Sequence, residues 1–151
     1  MELKTNRNSH ALYNLEYHLI LVTKYRKPCI TEPVFATLLA QIHKVAELYG
    51  IEIEEAAYEA DHIHLLMSAP PQINLAQVIN AIKSTSSRMA RKEHAGYLAK
   101  YYWKPYFWSR SYLILSSGGA PVDVIRQYIR EQGTEEHAAK AALRKKAAYS
   151  T

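Results

Sequence analysis

Apolar residues recur along the chain in two different rhythms. Residues 12–25, LYNLEYHLILVTKY, are rich in Leu, Tyr, Ile and Val with partial alternation, and they predict a first strand. KYRKP breaks that run. Thr31, followed by Glu32 and Pro33, has the chemistry of a helix start: a hydroxyl for an unpaired N–H, then a proline where no N–H is needed. Phe35, Leu38, Leu39, Ile42, Val45, Ala46 and Tyr49 follow at helical spacing, and Gly50 can end the helix. Residues 51–58, IEIEEAAY, alternate in part and predict a second strand. DHIHLLMS, residues 61–68, predicts a third, antiparallel to the second across the stretch from Glu59 to Asp61. Pro70-Pro71 ends it, and Asn74 caps a helix through about residue 93 with Leu75, Val78, Ile79, Ile82 and Met89 as its apolar stripe. A connection rich in Tyr and Lys leads to FWSRSYLILSS, residues 107–117, a fourth strand. Gly118-Gly119 turns the chain, and Pro121 with Asp123 opens a helix through Gln132. Gly133 interrupts it before a last, alanine-rich helix begins at Thr134.

The predicted order is β-α-β-β-α-β with extra helices at the end. It is the ferredoxin-like or split β-α-β arrangement of the α+β class, an antiparallel sheet with helices on one face. Residues 1–151 form one domain, because no repeat, low-complexity tract or linker divides them. The uncovered sheet face is then free to carry a site.

Composition narrows the picture only a little. Apolar residues make up 48% and charged residues 22%, as in an ordinary soluble domain. One cysteine, Cys29, rules out an internal disulfide and suits a reducing compartment. No apolar stretch reaches the roughly 18 residues of a membrane span, and MELKTNRNSH has no apolar signal core. A cytoplasmic protein with no membrane partner is expected. A net charge of +5 is compatible with a nucleic-acid partner without requiring one.

The third strand carries the informative chemistry. His62 and His64 are two apart, so on an extended backbone both imidazoles point to one side of the sheet. Two histidines on a wet strand face need no ligand; alternatively they grip one metal ion together. A regular strand points Asp61 the other way. In VDVIRQYIREQG, Tyr128 and Gln132 are four apart and stack on one helix face. With that helix on the open sheet face, His62, His64 and Gln132 form a three-ligand site with positions left for a substrate oxygen. Tyr128 becomes a nucleophile beside it. A phenol with an ordinary pKa near 10 needs such help at neutral pH.

Together these residues resemble a known family. DHIHLLM matches the His-hydrophobic-His signature of HUH nucleases. YHLILVTKYRKP and FWSRSYLILSSGGAPVDVIRQYIREQ are similar to the single-tyrosine HUH transposases of small insertion sequences, the IS-two-hundred-like family, and the resemblance runs over nearly the whole chain, from about Tyr17 to Gln132. The resemblance implies Mg²⁺ or Mn²⁺ on His62, His64 and Gln132, and a 5′-phosphotyrosine formed by Tyr128 on single-stranded DNA. It also implies recognition of DNA hairpins at element ends by a homodimer whose active sites are shared between subunits. Gly118 and Gly119 then become a hinge for the tyrosine helix, one that Gly118→Pro/Gly119→Pro would stiffen at the expense of strand transfer. Lys24, Arg26, Lys83, Ser87, Arg88, Arg91 and Arg110 are candidate DNA contacts, although a solvated helix face also explains the stripe on residues 83–91. His18 fits equally a core histidine or a neighbour of the site. Two other functions remain open. One is a HUH nicking endonuclease of replication or repeat-associated type; the other is a non-catalytic RNA-binding module on the same sheet topology, which usually shows aromatics where this strand shows histidines.

Overall fold

A computed structural model describes residues 6–7, 12–13, 15–116 and 127–131. Two short strands, β1 (Asn6–Arg7) and β2 (Leu12–Tyr13), pair antiparallel as a small separate ribbon. The main sheet contains β3 (Glu16–Val22), β4 (Glu52–Glu59), β5 (His62–Ser68) and β6 (Leu113–Ser116) in the order β4-β5-β3-β6, all antiparallel. Helix α1 (Glu32–Tyr49) joins β3 to β4, and α2 (Leu75–Glu93) with the short α3 (Ala95–Leu98) lies between β5 and β6. The expected split β-α-β order is what the chain adopts.

Alternation divides the sheet into two unlike faces. Leu19, Leu21, Ile63, Leu65 and Met67 point to one side and are buried with Val34, Leu38, Ile42 and Val45 of α1 and Val78, Ile79 and Ile82 of α2. Each such side chain taken fully out of water contributes about 1.5–3 kcal/mol before entropy is counted. The register places His18, Ile20 and Val22 of β3 on the other side, with His62 and His64 of β5 and Ala57 and Glu59 of β4.

Both helix starts follow the local chemistry. Thr31 Oγ1 accepts from Val34 N at 3.4 Å, and Asn74 Oδ1 accepts from Gln77 N at 3.1 Å. Gly50 closes α1 at φ 70°, in left-handed backbone that costs a residue with a Cβ roughly 1–2 kcal/mol. The stripe of α2 differs from expectation in its second half, where Ser86 and Ala90 are buried and Met89 is only half-buried. Ser86 tolerates burial because its hydroxyl donates to Ile82 O (2.6 Å) and accepts from Trp108 Nε1 (3.0 Å).

Three strand limits also differ from expectation, the first being the start of the first strand, since Leu12–Tyr13 pairs with Asn6–Arg7 and the sheet strand begins at Glu16. The first strand ends at Val22, and Lys24–Arg26 forms a 3-10 turn in which Tyr25 and Arg26 adopt φ 57° and 53°. The fourth strand begins only at Leu113. Trp108 bridges Thr23, and Ser109 N donates to Val22 O. The Lys83 ammonium donates to Ser109 O and Arg110 O, both at 2.7 Å, so these carbonyls leave the ladder. Periodicity alone could not separate a ladder strand from a segment held by side chains.

Candidate active site

His62 and His64 lie on the sheet face opposite the helices, both half-buried. Each meets a different partner. His62 Nδ1 donates to Asp61 Oδ1 at 2.8 Å, which leaves Nε2 facing away from the carboxylate. Asp61 therefore does not turn from the histidines as a regular strand would require. It belongs to the two-residue turn between β4 and β5, where its backbone is free of the pleat. Asp61 Oδ2 also meets Arg26 Nε at 3.3 Å.

His64 Nε2 lies 2.7 Å from His18 Nδ1, with the rings tilted 43° and their centroids 4.9 Å apart. The register explains the meeting. His18 stands opposite Leu66, so it is the diagonal neighbour of His64 on the same face. Of the two expectations for His18, site neighbour is the one realised. Burial, then the neighbouring His18 and His62, hold the His64 pKa below the ordinary histidine value, against a smaller opposing pull from Glu55. His64 is thus neutral at physiological pH, the state in which an imidazole can ligate a metal.

Tyr128 sits in the helical stretch 127–131, half-buried, with its Oη 3.0 Å from Ser111 Oγ. Arg26 Nη1 donates to Arg130 O at 3.4 Å, so the same stretch is bonded to the Lys24–Arg26 turn that follows β3. Gln132, Gly118 and Gly119 lie outside the described residues.

The donor set can be tested against a divalent cation. A histidine whose Nδ1–H is held by a carboxylate presents its Nε2 as a ready ligand. His64 has its Nε2 engaged by His18, so its free donor is Nδ1, bare when His64 rather than His18 supplies the shared proton. Two imidazoles suit Mn²⁺ better than Mg²⁺, which prefers oxygen. Among the described residues no group of three or more His, Cys, Asp and Glu side chains is placed to hold a metal. A third ligand from outside that set, such as the Gln132 carboxamide, is compatible with the two histidines.

The basic candidates are differently placed. Lys24 Nζ lies 5.3 Å from the ring centroids of both Tyr25 and Tyr106. Lys83 is bonded to the two carbonyls described above. Ser87 Oγ accepts from Arg91 Nε at 3.3 Å, while Arg88 and Arg110 are exposed. Asn80, Lys83, Ser84, Ser87, Tyr106 and Arg110 are among the residues around an open groove of about 450 Å³ between α2 and the 105–110 segment. Sequence reasoning overlooked the Asp61–His62 bond and could not decide on His18. The adjacency of Asp61 to His62 was the one available signal for the first; the second needs strand register.

The structure defines an α+β protein whose antiparallel sheet carries paired histidines on the face away from α1 and α2, with a tyrosine helix bonded nearby, and comparison with known proteins identifies its family. Residues 11–132 match the family described as "Transposase IS200 like", and the chain belongs to that family. It is 33% identical over 138 residues to the ISDra2 transposase TnpA of Deinococcus radiodurans, covering 90% of this chain and 95% of that one. It is 30% identical over 128 residues to the transposase for insertion sequence element IS200 of Salmonella typhimurium, covering 85% and 83%. A crystal structure of a proposed transposase from D. radiodurans R1 superposes with a TM-score of 0.76 at 30% identity, over 84% of this chain and 97% of the other. The fold is shared more distantly, at TM-score 0.52 and 12% identity over 82% and 68%, with a REP-associated tyrosine transposase whose structure was solved bound to a REP hairpin. Among the described residues no helix is long and apolar enough to cross a membrane.

Proposed function

We propose that this protein moves an insertion element by cutting and rejoining single-stranded DNA through a covalent 5′-phosphotyrosine on Tyr128, with a divalent ion, Mg²⁺ or Mn²⁺, held by His62, His64 and Gln132. The observation that carries the reading is the pair of imidazoles on one face of β5, one turned by Asp61 and the other by His18. A bound divalent ion would supply Lewis-acid activation of a phosphodiester oxygen. The protein's own groups do the rest. Asp61 and His18 fix the two rings, and the low pKa of His64 keeps that ring unprotonated. The Ser111 hydroxyl holds the Tyr128 phenol before DNA arrives.

In the cleavage step the Tyr128 oxygen forms a bond to phosphorus and the P–O3′ bond breaks. The phenol proton passes to solvent, and the released 3′ oxygen leaves as a hydroxyl after taking up a proton. One phosphodiester is exchanged for another, so a second strand's 3′-hydroxyl can reverse the step without ATP. The net charge of +5 and the basic residues Lys24, Arg88, Arg91 and Arg110 favour a polyanionic partner. Single-stranded DNA hairpins at the element ends are the proposed substrate, and a homodimer with shared active sites the proposed assembly. In the single chain the tyrosine helix is bonded to Arg26 and Ser111 of its own subunit.

The test is to incubate the protein with labelled single-stranded hairpin DNA and Mn²⁺ and to look for an adduct that survives denaturation. We expect an adduct with the unaltered protein and none with Tyr128→Phe. An adduct that persists in Tyr128→Phe removes the assigned nucleophile, and hairpin binding with no adduct on any flanking sequence replaces the transposase with a binding module.

A further inference from the structure

Tyr25 and Arg26 both occupy left-handed backbone, which residues other than glycine enter reluctantly and seldom in succession. Surrounding bonds over-determine the turn. Lys24 N donates to Phe107 O (2.8 Å), Arg26 N donates to Thr23 O (2.9 Å), and the Tyr25 ring packs edge-on against Tyr106. Backbone held in such a conformation points to something the turn achieves. What it achieves is the direction of one guanidinium. Arg26 Nε reaches Asp61 Oδ2, and Arg26 Nη1 reaches Arg130 O. Asp61 Oδ1 in turn accepts from His62 Nδ1. A single planar group therefore touches both the carboxylate that turns His62 and the helix that carries Tyr128.

We propose that Arg26 is a positioning residue that sets the tyrosine helix and the His62 ring relative to each other, rather than a contact for substrate phosphate. The proposal rests on the reading of His62 as a metal ligand and Tyr128 as the nucleophile. Arginine is suited to the task and lysine is not. Its donors diverge in a fixed fork, so two acceptors on different elements can be held at a set spacing, whereas an ammonium is a point charge on a flexible stem. The partial exposure of Arg26, 41% of its side chain, leaves room for both contacts at the surface of the site.

Three measurements on Arg26→Gln test it: Mn²⁺ affinity by electron paramagnetic resonance, amide hydrogen exchange of residues 127–131, and the salt dependence of hairpin DNA binding. We expect Mn²⁺ affinity to fall about tenfold, at the lower end of what loss of an outer partner costs a metal site. Exchange across residues 127–131 should accelerate at least several-fold, and DNA affinity should stay within about twofold with an unchanged salt slope. A salt slope reduced by about one, with Mn²⁺ affinity and exchange unaltered, would make Arg26 a phosphate contact and overturn the proposal. Arg26→Lys guards against misfolding of the glutamine variant. It keeps the charge but not the fork, so it should show the first two changes at reduced size, and wild-type behaviour of the lysine variant also overturns the proposal. Should the unaltered protein bind no Mn²⁺ and form no adduct, the metal reading falls separately, and the exchange measurement still decides whether Arg26 holds the helix.

Discussion

Replacing His18 by leucine isolates the contribution of one hydrogen bond to the proposed metal site. Leucine is similar in size and fits the strand, and the position lies opposite Leu66, so the change removes the His18 Nδ1 that meets His64 Nε2 with little effect on packing. Two consequences oppose each other. The His64 ring loses the bond that fixes its tilt and tautomer, and loss of such a partner costs a metal site about 10–100-fold in affinity. Removing His18 also relieves part of the depression of the His64 pKa, which favours the proton over the metal. The second effect is bounded. Even if His64 returned fully to its ordinary value of 6.5, roughly three-quarters of the ring would stay neutral at pH 7, a loss of less than about 1.5-fold. Orientation therefore dominates. Mn²⁺ titration at pH 7 and pH 8 should show a weakening of about tenfold or more in His18→Leu, nearly the same at both values. Affinity equal to the unaltered protein at both pH values would refute the argument that His18 orients His64. A loss confined to the lower pH would show that proton competition, not geometry, was the cause.

Protonation also has a consequence for stability. His64 has a folded pKa below its unfolded value, so its contribution is fully present above about pH 6.5 and is lost as pH falls toward the depressed folded pKa. Thermal melts without metal should fall between pH 7 and pH 5.5, and His64→Gln should flatten that slope; an identical slope in the variant would exclude His64 as the source. Away from the site, Ser86→Ala deprives the nearly buried Trp108 indole N–H of its acceptor. Urea unfolding should show a loss of about 1–3 kcal/mol, largely absent when the same change is made in Trp108→Phe. Equal losses in both backgrounds would mean that the hydrogen bond is not what Ser86 contributes.

The fold was legible because its signals are local and mutually consistent. Thr31, Pro33, Gly50 and Asn74 mark helix ends by the chemistry of their own side chains, and the alternation in 61–68 fixes a strand with one buried face. The candidate site was legible only in part. His62 and His64 share a face by covalent geometry alone, so any strand there brings them together. Partners separated by 46 residues, as His18 and His64 are, meet only through register, which no local pattern states. Asp61 was set aside for the opposite reason: a rule for regular strands was applied to a residue in a turn. The early end of the first strand was equally hidden, since Tyr25 and Arg26 have side chains that suit a strand and take up left-handed backbone only because Thr23, Phe107 and Tyr106 surround them.

The turn that carries Asp61 is clamped from outside the hairpin. Asp61 O accepts from both the backbone N–H and the hydroxyl of Thr23, and Ala60 O accepts from Ile30 N. Chain-folding thus fixes the backbone from which the Asp61 carboxylate reaches His62 and Arg26, and the entropy of ordering that turn is spent once, on folding. A scaffold of this kind should hold the His62 ring in one orientation whether or not the rest of the site is engaged.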